Sequence, residues 1–357
     1  MEVRAWTVHA RGEPMTFETR DEIPEAGEVL VEVAGCGVCH TDLGFYYEGV
    51  PTRHPFPLTL GHEIAGKVVE AGAGAENWLG SDVIVPAVMP CGQCAACKEG
   101  HGSICPTQIF PGNDVHGGFA THVRVPAHGL CHVPNLSDKT INPSGVDLPT
   151  LSVMADAVTT AYQAILRSDL AEGDLAVFVG AGGVGGFGVQ IAAALGAVPV
   201  AIDVDESRLD QMRQHGATLT LRADELPFKE LRGQVRGLAK ERKIPTWHRK
   251  IFETSGTAAG QTTAFGLLEH GGYLSLVGFT AEKVNVRLSN LMAFDAKAEG
   301  NWGCLPKYYP AVLDLVLAGK VALTPFVEHR PLADINEIFE DLKAHRIHSR
   351  VVLIPES

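Results

Sequence analysis

The sequence predicts an α/β protein in which a β-rich domain precedes a doubly wound parallel sheet. Three observations carry this. Glycine-ended apolar segments fill the first 150 residues, and from about Leu175 short buried strands alternate with helices. A glycine-rich turn, GAGGVGG, joins one of those strands to its helix. The length, 357 residues, suits two hydrophobic cores better than one.

In chain order, GEVLVEVAG (27–35) and EIAGKVVEAG (63–72) alternate or run apolar and end in glycine, as strands do. VIVPAVM (83–89) and FATHVRVP (119–126) repeat the pattern. LAVFVG leads through the turn into the helix VGGFGVQIAAALGA and the strand VPVAIDVD. KIFETSG (250–256), the helix AAGQTTAFGLLEHGG and the strand YLSLVGF follow, the last read as a sheet edge. Such alternation builds βαβ units with parallel strands. Two helices, KYYPAVLDLVLAGK and DINEIFEDLKAH, and a strand, RVVLIP, close the chain. The expected domains are 1–154 and 155–299, with 300–357 completing the first.

Net charge is −13, from 29 basic and 42 acidic residues, which argues against general nucleic-acid binding. No apolar leader marks the first residues, so a cytoplasmic location is expected. The 28 residues between Asp174 and Asp203 hold no Asp, Glu, Lys or Arg, which is long enough to span a bilayer. Glycines at 180, 182, 183, 185, 186 and 188 and Pro199 break it into strand, turn, helix and strand, so no membrane span is expected. Against the acidic background, eight Lys or Arg face only two Glu between Lys229 and Lys250. That run reads as a solvated helical face, or as a contact for substrate phosphates or a neighbouring subunit.

The chain has eight cysteines, which in a cytosolic protein read as metal ligands or free thiols rather than disulfides. Cys91, Cys94, Cys97 and Cys105 lie in CGQCAACKEGHGSIC. Four thiolates so close together can close a tetrahedron around Zn²⁺ if the chain folds back on itself. The small residues Gly92, Ala95 and Ala96 permit that. With no open position, such a site holds a lobe together. An iron–sulfur cluster is the alternative, disfavoured by the adjoining dinucleotide domain. A second set is dispersed through GCGVCHTDLG, LGHEIAG and MADAVTTAYQAI. There Cys39 offers a thiolate, His62 an imidazole, and Asp156 or Glu63 a carboxylate, the donors of a zinc that keeps one exchangeable position.

Gly180, Gly182 and Gly185 fit Gly-x-Gly-x-x-Gly between a strand and a helix, the Rossmann context that gives the motif meaning. Gly183 and Val184 complete the turn, which lets a pyrophosphate approach the helix N-terminus. Asp203 ends the next strand, where a carboxylate accepts from both adenosine ribose hydroxyls and repels a 2′-phosphate. NAD is therefore expected over NADP, with nearby Arg208 the residue that argues the other way.

Cys-His-Thr-Asp, then Gly-His-Glu about twenty residues on, then the four-cysteine lobe and the Rossmann turn: this order resembles the zinc alcohol dehydrogenases of the medium-chain dehydrogenase/reductase superfamily. The likeness runs over nearly the whole chain. It implies a GroES-like catalytic domain, a Rossmann cofactor domain, NAD, two Zn²⁺ per subunit and a homodimer or homotetramer. It also implies that Cys39 and His62 ligate the catalytic zinc. Asp156 stands where many members carry a second cysteine and others aspartate. Glu63 is the nearby carboxylate able to approach the ion, Asp42 orients His62, and Thr41 bridges the substrate hydroxyl to a proton relay. By the same resemblance Thr160, Val277 and Phe279 lie near the nicotinamide, and His40 and Arg350 touch the pyrophosphate. Gly44 departs from the pattern, because some relatives place a relay histidine there.

Three segments, FYYEGVPTRHPFPLTLGHE, PTQIFPGNDVHGGFATHV and AEGNWGCLP, resemble a branch of that superfamily acting on cyclic hydroxyacyl-CoA thioesters. On that expectation Arg53, His54 and the 229–250 run meet CoA phosphates, while Trp302 or Tyr46 lines a ring pocket. The rival expectations are a general secondary-alcohol or polyol dehydrogenase, a zinc-dependent enoyl-type reductase, and a cofactor-binding scaffold without activity.

Overall fold

The computed structural model describes residues 1–356 and divides into two compact units. The first comprises Met1–Thr159, Gly303–Gly319 and the residues from Leu323 on. The second comprises Thr160–Trp302 with Lys320–Ala322.

The main sheet of the first unit runs laterally Val327–Pro331, Arg350–Ile354, Glu28–Gly37, Glu63–Ala71, Asp82–Val85, Cys131–Val133. His122–Pro126 also pairs with Glu28–Gly37. Val29, Val31 and Val33 enter a core shared with Leu58, Ile64, Phe119 and Phe339, while Glu32 stays exposed between them. Removing such side chains from water is the main force holding the sheet. Two register shifts against Glu63–Ala71, at Leu30/Val31 and Val33/Gly35, mark bulges that bend the long strand. Gly37 ends it opposite Glu63. A Cβ on Gly37 would lie 2.1 Å from Glu63 Oε2, so only glycine leaves room for that carboxylate. The closing strand Arg350–Ile354 pairs at Val352 with Gly37, bringing Arg350 to the same sheet end.

In the second unit six strands, all parallel, run Leu219–Arg222, Val198–Asp203, Leu175–Val179, Arg249–Glu253, Tyr273–Leu276, Lys297–Gly300. Chain order reverses between Leu175–Val179 and Arg249–Glu253, and ligands bind such sheets at that crevice. The uncharged stretch supplies two of these strands and the helix Gly183–Ala194. No helix among the described residues is long and apolar enough to cross a membrane. Phe178 and Phe252 stack across adjacent strands at 4.7 Å. A Cβ on Gly188 would lie 2.4 Å from the Phe178 ring, so glycine there lets the helix lie close on the sheet. One expectation is corrected. Tyr273–Leu276 is not the sheet edge, because Lys297–Gly300 pairs outside it. KAEG has no apolar alternation, and only the backbone pairing reveals it as a strand.

Candidate active site

The pairing of Glu28–Gly37 with Glu63–Ala71 sets Cys39 and His62 at one sheet end. The helix His40–Tyr46 starts immediately after Cys39, and Asp42 in its first turn accepts from Cys39 N–H at 2.9 Å, as in a capping box. The other Asp42 oxygen accepts from Gly61 N–H at 3.2 Å and stands 3.4 Å from His62 Nδ1. Asp42 thus ties both ligand segments to one buried carboxylate. Asp156 follows the turn Thr150–Ala155, and its Oδ2 lies 3.4 Å from His62 Nε2 and 3.7 Å from Cys39 Sγ.

The ligand atoms of Cys39, His62, Glu63 and Asp156 all lie within 4.8 Å of one another. His62 is buried, yet neither ring nitrogen has a hydrogen-bond partner. Burial opposes a charge on His62, but Asp42 and Asp156 hold the imidazole well above its ordinary value. The group attracts positive charge and carries the donors of an open zinc site, so its residues fit the ion.

Glu63 is fully buried, and Arg350 grips it from both sides. Nε donates to Oε2 at 2.9 Å, Nη2 donates to Oε1, and Ala157 N–H also donates to Oε1 at 3.1 Å. Burial pushes the Glu63 carboxyl up and Arg350 pulls it back. Arg350, expected at the cofactor pyrophosphate, is here only 9% exposed and committed to Glu63, because a buried carboxylate left unpaired is costly.

Cys91, Cys94, Cys97 and Cys105 form a four-cysteine metal site, with sulfurs 3.5 Å apart for Cys94–Cys97 and 3.8 Å for Cys94–Cys105. A tetrahedral zinc with Zn–S of about 2.3 Å needs S···S edges of about 3.8 Å. The spacing fits a single ion, whereas a cluster spreads its thiolates over several irons. Cys91 N–H donates to Cys105 Sγ at 3.4 Å. Thr107 and the backbone at Gln93 and Cys94 pull the Cys91 thiol down to about 5, which favours the thiolate a metal requires.

In the second unit Gly180 takes a φ of +98°, and a Cβ there would lie 2.5 Å from Ser255 N. A Cβ on Gly185 would meet Gly180 O at 1.8 Å. Gly182 caps the helix that begins at Gly183 and Val184, whose first-turn N–H groups suit a phosphate. Asp203 accepts from Ala181 N–H at 2.6 Å, Val204 N–H at 2.8 Å and Asp205 N–H at 2.9 Å. Those amides fix its carboxylate at the strand end, with Arg208 Nη1 3.9 Å away. Thr160 is buried, Val277 is half-buried and Phe279 is 66% exposed. The cradle fits a dinucleotide. Glu253, fully buried beside it, carries no spacing signature and is missed by sequence reasoning.

Thr41 is half-buried with Oγ1 3.6 Å from Cys39 Sγ, and His40 is exposed. A side chain at Gly44 would project toward Val50 and the Glu48 carboxylate. Arg53 pairs with Asp114 at 3.3 Å, and His54 Nδ1 lies 2.6 Å from Pro55 O. Trp302 is 49% exposed. Tyr46, expected in a ring pocket, is buried: it packs into the core against Phe339 and donates to Glu13 O, because the short helix buries Leu43, Phe45 and Tyr46. In the basic run, Arg236 and Arg249 both pair with Glu269. Arg249 opens the strand that Glu253 closes, so this part of the run lies at the strand end opposite the glycine turn.

Residues 25–135 match the alcohol dehydrogenase GroES-like domain, and residues 183–318 match zinc-binding dehydrogenase. An alcohol dehydrogenase of Geobacillus stearothermophilus is 31% identical over 333 residues, 92% of each chain. An alcohol dehydrogenase of Thermotoga maritima, 25% identical, superposes with a TM-score of 0.87 over 100% of both chains. The cobalt- and zinc-bound thermostable alcohol dehydrogenase of Pyrobaculum aerophilum is 26% identical, with a TM-score of 0.82 over 99% of this chain and 100% of that one. A GroES-like domain, a Rossmann-type parallel sheet and these relatives make the chain a member of the zinc-dependent medium-chain alcohol dehydrogenase family, oxidoreductases acting on CH–OH groups.

Proposed function

We propose that the chain oxidises a secondary alcohol with NAD⁺, using a catalytic zinc on Cys39, His62 and Asp156 and a structural zinc on the four-cysteine lobe. The observation that carries this is the approach of Asp156 Oδ2 to both His62 Nε2, at 3.4 Å, and Cys39 Sγ, at 3.7 Å. Asp156 rather than Glu63 completes the set, because Arg350 engages both Glu63 oxygens. When bound, zinc supplies the Lewis acidity that acidifies an alcohol hydroxyl, and the nicotinamide supplies the hydride acceptor. Thr41 would accept the hydroxyl proton and release its own to water, since Gly44 offers no side chain for a relay. Asp203 binds the adenosine ribose and selects NAD over NADP.

The substrate we propose is 6-hydroxycyclohex-1-ene-1-carbonyl-CoA, oxidised to the 6-oxo thioester in anaerobic benzoyl-CoA degradation. The three segments that resemble that dehydrogenase support it. A general secondary-alcohol or polyol dehydrogenase is the second reading, favoured by the relative named simply alcohol dehydrogenase. NADH formation on the cyclic hydroxyacyl-CoA, measured beside cyclohexanol and ethanol, separates them. Strong preference for the thioester supports the first; turnover of simple alcohols alone supports the second. The same proposal makes the enzyme a cytoplasmic homodimer or homotetramer. Exposed Leu288 and Met292 near the edge strand Lys297–Gly300 support such pairing.

A further inference from the structure

Glu253 closes the strand Arg249–Glu253 at the switch point of the parallel sheet and is fully buried. Its main-chain oxygen accepts from Val277 N–H and Gly278 N–H, both at 3.0 Å. Its side-chain Oε1 accepts from Ser255 N–H at 2.9 Å, Ser255 Oγ at 2.5 Å and Gly256 N–H at 3.2 Å. Oε2 has no hydrogen-bond partner and lies 2.7 Å from where a Cβ on Gly278 would sit. The Glu253 side chain therefore pins loop 254–257, while its main-chain oxygen holds loop 277–279, against which the carboxylate also packs at Gly278.

Each loop forms part of the nucleotide cradle. In the first, Thr254 Oγ1 donates to Gly180 O at 2.7 Å, and a Cβ on Gly185 would lie 2.5 Å from that Oγ1. Ser255 backs Gly180 so closely that only glycine fits the turn. The second loop carries Val277 and Phe279. A Cβ on Gly256 would lie 2.9 Å from Phe279 O, so the two loops also pack on each other. Burying a carboxylate with one oxygen unpaired works against folding. An apolar residue would close this strand at lower cost, and it would leave Ser255 and Gly256 without an acceptor.

We infer that Glu253 is a positioning residue for the nicotinamide cofactor, setting the phosphate turn through loop 254–257 and the nicotinamide-side residues through loop 277–279. The inference rests on the reading of this cleft as the NAD site. Glu253→Gln keeps the size and an acceptor oxygen toward Ser255 and Gly256, sets its NH₂ at the unpartnered Oε2 position, and turns charged hydrogen bonds into weaker neutral ones. With zinc-loaded full-length enzyme, NAD⁺ affinity is measured by calorimetric titration and KM and kcat by NADH formation. The expected result is a rise of roughly tenfold in both Kd and KM for NAD⁺, the worth of one charged hydrogen bond. The alcohol KM and the zinc content stay at wild-type values. If Glu253→Gln binds NAD⁺ like wild type and only melts earlier, the residue merely holds the fold and the inference is overturned. If wild type itself binds no NAD⁺, the reading of the cleft fails instead. Glu253→Ala is the harsher companion, and should it not fold, Glu253→Gln decides alone.

Discussion

Asp42→Asn tests how the ligand segments are held. In the wild type one Asp42 oxygen accepts from Cys39 N–H at 2.9 Å and the other from Gly61 N–H at 3.2 Å. Asparagine has a single carbonyl oxygen, so one of those N–H groups must face an NH₂. A hydrogen bond to a charged acceptor is worth about 1.5–3 kcal/mol, which converts to about 10–150-fold in an equilibrium. Residues that orient metal ligands contribute about 10–100-fold to metal affinity, and the two figures agree. Catalytic zinc should therefore bind about 10–100-fold more weakly, while the four-cysteine site keeps its ion. The assay is stepwise zinc competition against a chromophoric chelator, with NAD⁺ titration beside it. The weaker zinc step should shift and NAD⁺ affinity should not, because Asp203 and the glycine turn belong to the other unit. Wild-type zinc affinity in this variant would refute the role given to Asp42.

Three more outcomes follow from the geometry. His116 is pushed down to about 4 from 6.5 by burial, helped by Arg20 and His54. The unfolded chain therefore takes up this proton first, so the contribution is full above pH 6.5 and falls away toward pH 4. His116→Gln should lose less melting temperature than wild type between pH 7 and about 5, read by thermal melts. Cys97→Ser opens the four-cysteine site; zinc analysis should show one ion fewer per chain, with a melting temperature lower by about 2–4 °C for each kcal/mol lost. Asp203→Asn removes the charge that disfavours a 2′-phosphate. The NAD-over-NADP preference in kcat/KM should shrink by roughly tenfold or more, and an unchanged preference would remove Asp203 from cofactor selection.

What could be read from the sequence was what lies close together in the chain. The four cysteines and the glycine turn declare themselves by spacing, because a tetrahedron and a phosphate cradle are each built within one short segment. Cys39 and His62 are legible only as members of a dispersed set. Their meeting depends on the register in which Gly37 opposes Glu63, and no local pattern states a register. The Arg350–Glu63 pair was out of reach for the same reason, since a C-terminal strand must first return across 287 residues of chain. Tyr46 is not placed by local pattern, because an aromatic beside a ligand segment suggests a pocket, whereas the helix turns that face into the core. Glu253 reads in the sequence as the end of an apolar strand; only the fold brings two loops onto it.

Under the proposed function Cys39, His62 and Asp156 hold the catalytic zinc, the four cysteines hold the second ion, and the glycine turn with Asp203 holds NAD⁺. Zinc content, NADH formation and NAD⁺ affinity measured together on Cys39→Ser test it most directly. One zinc per chain instead of two, loss of alcohol oxidation and unchanged NAD⁺ binding are expected. A variant that keeps both ions and full turnover would contradict it.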